Sequence, residues 1–470
     1  MTAVQQQELV FLQDRFTSLA MLMLSAASES RGNFWDAEAA VGAMILALRA
    51  PLAESALRTS VASADRAYVC PDCGAGLRRW DRQKREVVTA HGTCMLESWR
   101  YRCPECRTDH RPIEEANALV GNRFTLGAKL RIASRAAEVP YATTASSLSE
   151  SGIQVSAKEV DRTVSEVSCW RQAEEEAAVE AAFSPVEDEG DGGAARSGPM
   201  LFDWRRWSAR DVMLMSVDGA SIRSPELGES GLLWYEGRSA LMRPTREKSR
   251  ARPFYLSGVH TCDALFDRLA AAYRQGPNAD RWVLFVADGA RWIWDRVPLY
   301  FPKRLEVLDI YHAGEHVASA GIACFGQNSE RAKAWRGAAR SMLLDAECGR
   351  TVLRQLVQQL RQPNDLADPE AVVTELRYFW TNRHRMRYQH VRSLGLPIGS
   401  GAMESAVKQV STQRLRQPGM KWSRRGGHSM LALRAAHLSA ALRPTVEHKA
   451  DSLHQQAQRY RSPGTLRAAA

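Results

Sequence analysis

No uninterrupted apolar run in this sequence approaches the roughly 18–20 residues that cross a bilayer. The opening MTAVQQQELVFLQDRF lacks a basic stretch followed by an apolar one. Neither a membrane partner nor a secretory leader is therefore expected, and a cytoplasmic, bacterial, nucleoid-associated protein is the working expectation. Nine cysteines in a chain of 470 residues without a leader do not suggest a disulfide framework. No internal repeat with a period of about 20–50 residues is apparent, which argues against solenoids and propellers. An excess of acid is also missing.

The balance is basic instead: 63 Lys+Arg stand against 53 Asp+Glu, a net charge of +10. This favours a polyanionic partner, because phosphate neutralisation by Lys and Arg dominates nucleic-acid affinity. The charge is concentrated late in the chain. From Ser411 onward eleven Lys/Arg face two acids, Glu447 and Asp451, with Trp422 and several glycines interleaved. A solvated tail is the plainer explanation of that stretch.

Length and composition allow several domains. Residues 1–64 pattern as helix, and 65–115 hold paired cysteines with strand-like stretches. Residues 116–182 return to helix, and 183–200 are rich in Gly, Ser, Pro and acid, as a linker is. From 201 the pattern alternates. DVMLMSVDGA, RWVLFVADGA and KRLEVLDIYH are short apolar runs ending in acid, separated by helical stretches. Strands alternating with helices predict a mixed or parallel sheet covered by helices over 201–325 and 391–440, with a helical insertion at 326–390 and a basic tail at 441–470.

Cys70-Pro-Asp-Cys73 and Cys103-Pro-Glu-Cys106 are two knuckles 29 residues apart. Two thiolates three positions apart clasp one side of a tetrahedral zinc ion, and a second knuckle supplies the other. A structural zinc ribbon is expected. A redox role for the two CxxC pairs lacks a thioredoxin-like context. Cys94, His91 and His110 lie nearby and are expected not to be ligands; Cys169, Cys262, Cys324 and Cys348 are isolated and expected to be packed as small hydrophobes.

The segment YATTASSLSESGIQVSAKEVDRTVSEVS has a helix-turn-helix cadence. Ala142, Ala145 and Leu148 suggest an apolar stripe, Gly152 a turn, and Ser156 with Glu159 a capping box. The second helix would carry Lys158, Asp161, Arg162 and Thr163 outward toward a DNA groove. A plain helical hairpin shows the same pattern.

Asp218 and Asp288 each end an apolar run and precede glycine, and Glu404 follows the turn-rich PIGSGAM. Ser400 is expected to cap the helix carrying Glu404. Two strand-borne Asp and one helix-borne Glu make an oxygen-rich site for two Mg²⁺ or Mn²⁺ ions. Such a pair activates a water or 3′-hydroxyl and stabilises the leaving oxyanion in phosphoryl transfer. Asp309 and His312 form a further element: Asp309 is either a helix cap or a rival to Asp288 as second metal ligand, and His312 is a candidate assistant.

With SVDGA, VADGA, DIYH twenty-one residues beyond Asp288, and GLPIGSGAMES followed by RLRQPGMKWS assembled, the chain resembles bacterial insertion-sequence transposases of the ISKra type and, more distantly, Mutator-like transposases. The resemblance covers roughly residues 211–440. It implies an α/β multidomain protein: an RNase H-like catalytic domain with a helical insertion, preceded by zinc ribbon and helix-turn-helix. It implies that Asp218, Asp288 and Glu404 are the acidic triad, assisted by Asp309 and His312. It further implies that Arg414, Arg416, Lys421, Trp422, Arg424 and Arg425 contact DNA, with Arg383, Arg385 and Arg387 serving similarly. The expected partners are double-stranded DNA, as transposon ends and target, and further copies of the chain as a homodimer or higher oligomer. A nuclease that cuts without joining, or a non-catalytic DNA-binding regulator, are the rival expectations.

Overall fold

The computed structural model describes residues 1–461 other than 32, 65, 185–197, 209, 229–230, 232, 247–248, 278, 280, 345–348 and 363–364. Most of the expected linker, and Cys348, lie outside the described residues. In chain order the elements begin with helices α1 (Ala3–Glu29) and α2 (Phe34–Ala64), then strands β1 (Arg78–Thr89), β2 (Gly92–Arg102) and β3 (Asp109–His110). Helices α3 (Pro112–Ala116), α4 (Leu126–Glu138), α5 (Tyr141–Glu150) and α6 (Ala157–Phe183) follow. Next come β4 (Met213–Arg223), β5 (Trp234–Pro244), β6 (Phe254–Gly258), α7 (Cys262–Arg274), β7 (Val283–Ala287), α8 (Arg291–Trp294), α9 (Val297–Tyr300) and β8 (Arg304–Leu308). The remainder is helical: α10 (Ile310–Phe325), α11 (Glu330–Leu344), α12 (Gly349–Gln359), α13 (Pro369–Asn382), α14 (Tyr388–Ser393), α15 (Gly401–Val407), α16 (Gln413–Leu415), α17 (Arg424–Leu438) and α18 (Leu442–Ala457). Among the described residues the protein is mixed α/β with two sheets, and it divides into two compact units, Met1–Trp170 with Leu442–Ala470 and Arg171–Ala441.

In the first unit, α1 and α2 pack on one another, yet α1 has no buried residue, and Phe11, Phe16, Leu22, Phe34 and Trp35 are exposed. Both helices are long and apolar enough to cross a membrane by length and composition. Isolated charges such as Asp14, Arg15 and Arg49 interrupt the apolar runs without making either helix polar. Strands β1 to β3 form an antiparallel sheet in which a hairpin spans the distance between the two cysteine pairs.

The capping box is realised: the Ser156 amide donates to Glu159 at 2.8 Å, and the Glu159 amide donates to the Ser156 hydroxyl at 3.3 Å. Gly152 takes φ +79°, a turn conformation that glycine adopts without strain. Lys158, Asp161 and Arg162 are exposed as expected, but Thr163 is buried, its hydroxyl donating to the Glu159 carbonyl at 2.8 Å. The buried face of α5 is Thr144 and Leu148 rather than a stripe through exposed Ala142. The segment expected as a tail is α18, continued by a turn that buries Tyr460 against Tyr68 and Tyr101.

The second unit is built on a five-stranded sheet in the order β6-β5-β4-β7-β8. β4, β5 and β6 form an antiparallel meander, while β7 and β8 run parallel to β4. The alternation of each strand divides its apolar residues between two cores. Met215, Val217 and Phe285 face a layer containing α7 with Phe202, Trp204 and Trp207. Leu214, Val286 and Val307 face α10 and the helices that follow it. β5 and β6 were not singled out in the sequence because WYEGRSALMRP and FYLSG mix Gly, Arg and Glu among their apolar residues. Asp218 sits mid-strand, not at a strand end as its Asp-Gly suggested, because β4 continues to Arg223 to pair with β5.

Candidate active site

The three aspartates gather where neighbouring strands adjoin. β4 pairs with parallel β7 as far as Met215 and Phe285, three residues short of Asp218 and Asp288, and Asp218 feels the charge of Asp288. Ala287 pairs with Leu308 at the end of β7 and β8, and Asp288 and Asp309 are the next residues of the two chains. In that last rung the Asp309 amide donates to the Ala287 carbonyl at 2.8 Å. The strand order turns back at β4, and the crevice outside the carboxyl ends of parallel strands at such a reversal is where α/β sheets bind ligands.

Burial and, after it, like charge act on Asp218. Burial first, and then the charges of Asp288 and Glu236, push the Asp218 carboxyl up to about 6, against the Gly219 amide and nearby His312. The Gly219 amide donates to Asp218 Oδ1 at 2.7 Å, and the Ala290 amide donates to Asp288 Oδ1 at 2.9 Å. Trp294 Nε1 donates to the Asp288 carbonyl at 2.7 Å. Both carboxylates are therefore held by local backbone geometry. His312 is half-buried on the first turn of α10, 3.4 Å from Glu315.

Asp309 does two jobs. It is 7% exposed, and its Oδ1 accepts the Tyr311 amide at 3.3 Å, capping α10, and the Ser400 amide at 2.9 Å. Gly399 permits this approach, for a Cβ there would lie 2.9 Å from the Tyr311 ring and 3.6 Å from Asp309 Oδ1. Ser400 was expected to cap α15 with its side chain; it makes no such bond, and its main chain instead fixes the helix start to Asp309. Glu404 lies in the first turn of α15, exposed. That helix packs Met403 and Ala406 on Leu241 of β5. Leu241 pairs with Ser216, so α15 lies on the sheet face that also carries Asp218.

Beside the acids opens a cleft of about 1450 Å³, bounded by Tyr311 and Gly399 and lined by Arg243, Arg246, Arg336 and Arg392. Arg246 is paired with Asp211 at 3.2 Å, whereas Arg336 and Arg392 are exposed. Of the basic residues expected on DNA, Arg383, Arg387, Arg416, Lys421, Arg424 and Arg425 are exposed. Arg414 is not: it is 1% exposed, with its guanidinium over the Trp422 ring and near the Met420 sulfur. Arg385 is also buried, held by Glu306 at 2.7 Å. Both are framework residues whose charge does not reach the surface.

Two residues beside the aspartates were missed in the sequence. Glu236 lies over Gly219, where an added Cβ would collide with its carboxylate. Tyr378 of α13 lies over Gly289 in the same way. Tyr378 reaches the site from α13, remote in sequence, and Glu236 from β5, the hairpin partner of β4 that its mixed composition hid.

In the first unit, Cys70, Cys73, Cys103 and Cys106 place their sulfurs within 4.8 Å of one another. Cys73 and Cys103 are 3.5 Å apart, close to the roughly 3.8 Å between sulfurs of a tetrahedral zinc site. The donor set and its spacing fit a structural zinc ion. His110 Nε2 lies 3.5 Å from Cys70 Sγ, while its Nδ1 is 3.3 Å from the Tyr460 hydroxyl, which donates to Glu115 at 2.5 Å. Cys94 is buried in a separate cluster with Val87 and Leu96.

A family model described as an uncharacterised protein family, UPF0236, matches residues 262–451, a stretch that includes Asp288, Asp309, His312 and Glu404 but not Asp218. No curated protein matches the chain.

Proposed function

We propose that the protein is a DNA transposase, whose second unit is an RNase H-like catalytic domain that cleaves and joins DNA strands. The observation that carries this reading is the gathering of Asp218, Asp288 and Asp309 where β4, β7 and β8 adjoin, with the start of the Glu404 helix tied to Asp309. The antiparallel meander followed by two parallel strands, with a helical insertion before Glu404, supports the RNase H-like assignment.

Asp218, Asp288 and Glu404 would hold divalent cations, Mg²⁺ or Mn²⁺. The raised Asp218 carboxyl fits this assignment, because crowded buried carboxylates gain most from a cation. Bound there, the ions would lower the pKa of the attacking hydroxyl and stabilise the leaving oxyanion. The chain's own residues supply the rest. Backbone amides of Gly219 and Ala290 fix the two aspartates, and Asp309 sets the start of the glutamate helix. His312 stands beside Asp218 as an assistant.

The arginines of the adjoining cleft, with exposed Arg383, Arg387, Arg416, Lys421, Arg424 and Arg425, suit a duplex phosphate backbone. In the first unit, the four cysteines would hold zinc in a ribbon, and Lys158 and Arg162 would face a DNA groove. Assembly as a dimer or higher oligomer, and work in the bacterial cytoplasm, belong to the same proposal.

The test is incubation of the purified chain, Mg²⁺ and labelled duplexes taken from either flank of its gene with a target plasmid. Cleavage with joined products, absent in Asp218→Asn and Glu404→Gln, is expected. Cleavage without joining would favour a plain nuclease. Sequence-specific binding with no strand chemistry would favour a regulator.

A further inference from the structure

Tyr378 lies beside the second aspartate of the acidic site. It projects from α13, 90 residues beyond Asp288, in the helical insertion. Its ring stacks on His316 of α10, with centroids 3.5 Å apart and planes inclined by 15°. His316 is held in turn, its Nδ1 lying 2.8 Å from Glu375 Oε2, one turn before Tyr378 on α13. The ring thus has little freedom to leave. Its hydroxyl lies against Gly289, where a Cβ would be 2.7 Å from the phenolic oxygen. Gly289 is the residue that follows Asp288, so the phenol reaches the site at the second aspartate.

That hydroxyl is buried and has no hydrogen-bond partner among the described residues. An unpaired buried hydroxyl costs about 1–3 kcal/mol, so a tyrosine held this firmly with its polar end orphaned calls for a ligand. The neighbouring side chains do not supply one. Asp288 has its Oδ1 on the Ala290 amide, and the Glu375 carboxylate is paired with His316. A phenol at neutral pH offers a single O–H donor. An acceptor brought in with a substrate would satisfy it, once the packing around Gly289 shifts to admit it.

We propose that Tyr378 is a catalytic residue of this site, donating its phenolic O–H to a non-bridging oxygen of the phosphate being cleaved. The inference rests on the strand-cleavage reading of the site. Glycine at 289 is then explained by the space the phenol needs, in addition to the turn after Asp288. The developing charge on that oxygen in the transition state strengthens the hydrogen bond, so the donor acts mainly on the chemical step.

Tyr378→Phe keeps the ring, its stack on His316 and its fit over Gly289 while deleting only the donor. With full-length protein, Mg²⁺ and duplexes from the flanks of its gene, the variant is expected to cleave 10- to 100-fold more slowly, with unchanged DNA affinity and unchanged melting temperature. A phosphorothioate at the cleaved position supplies a readout that a packing role would not move. One diastereomer, with sulfur in place of the accepting oxygen, is expected to slow the wild type about tenfold more than it slows Tyr378→Phe. If Tyr378→Phe cleaves as fast as wild type with both diastereomers, while Asp218→Asn is inert, the Tyr378 assignment is wrong and the acidic site stands. If Asp218→Asn cleaves like wild type, the site reading itself fails and takes this assignment with it.

Discussion

Asp309 and Ser400, 91 residues apart, are joined by a 2.9 Å hydrogen bond from the Ser400 amide to the Asp309 carboxylate. The bond fastens the end of β8 to the start of the helix that carries Glu404. It distinguishes two roles for Asp309. As a tether, it needs only an oxygen acceptor, which asparagine retains; as a metal ligand, it needs the charge. Asp309→Asn is accordingly expected to keep most strand-cleavage activity. Asp309→Ala is expected to lose stability by about 1–3 kcal/mol and most activity, since it leaves two part-buried amides unpaired. Denaturant melts and cleavage rates of the two variants side by side decide between the roles. Equal loss in both would assign Asp309 to the metal.

Gly289→Ala is expected to be costly for a reason other than backbone conformation. Its methyl would lie 2.4 Å from the Tyr378 ring. The ring is stacked on His316 and cannot simply swing away, so a loss of about 1–3 kcal/mol is expected. The same substitution in a Tyr378→Ala background should cost far less. A double-mutant cycle measures this coupling, and additive losses would show that the contact does not limit residue 289.

The capping box of α6 makes a pH-dependent contribution. Burial alone would raise the Glu159 carboxyl, but hydrogen bonds from Arg123 and from the amide and hydroxyl of Ser156 outweigh it and hold the group at about 2. A carboxyl depressed in the folded state stabilises the fold above its ordinary value near 4.5, and that contribution fades as pH falls toward 2. Glu159→Gln is therefore expected to destabilise by about 1–3 kcal/mol at pH 7. The difference from wild type should shrink steadily between pH 5 and pH 3. Chemical denaturation across that range measures it, and a difference independent of pH would contradict the assignment.

Removal of zinc is expected to unfold the cysteine sheet and to release Tyr460, whose hydroxyl contacts His110 beside Cys70. A chelator should expose buried Tyr68, Tyr101 and Tyr460 to solvent together, visible as a change in tyrosine absorbance. Metal analysis should find one zinc per chain. An unchanged spectrum after complete zinc removal would show that the metal does not hold this sheet.

Much of the framework was legible because it is encoded locally. The apolar runs ending in Asp288 and Asp309 marked β7 and β8, and Ser156 with Glu159 marked the start of α6. Paired knuckles marked the four cysteines. What was illegible depends on elements that meet only in three dimensions. Asp218 looked like a strand end because Gly219 follows it, yet pairing with β5 carries the strand on to Arg223. Arg414 looked like part of a basic surface, but its helix face turns it under Trp422. Tyr378 gave no signal because it fills the space over a glycine distant in sequence, and Glu236 because its strand, β5, was not recognised. The glycines were noticed; what they make room for was not.

The most direct measurement of the central claim is Mn²⁺ binding to the purified, zinc-loaded chain, read by calorimetry and by electron paramagnetic resonance. Wild type is expected to bind two Mn²⁺ ions. Asp218→Asn, Asp288→Asn and Glu404→Gln should each weaken that binding at least tenfold, with the cysteine-bound zinc unaffected. Undiminished Mn²⁺ binding in all three variants, or none in wild type with DNA present, would contradict the account.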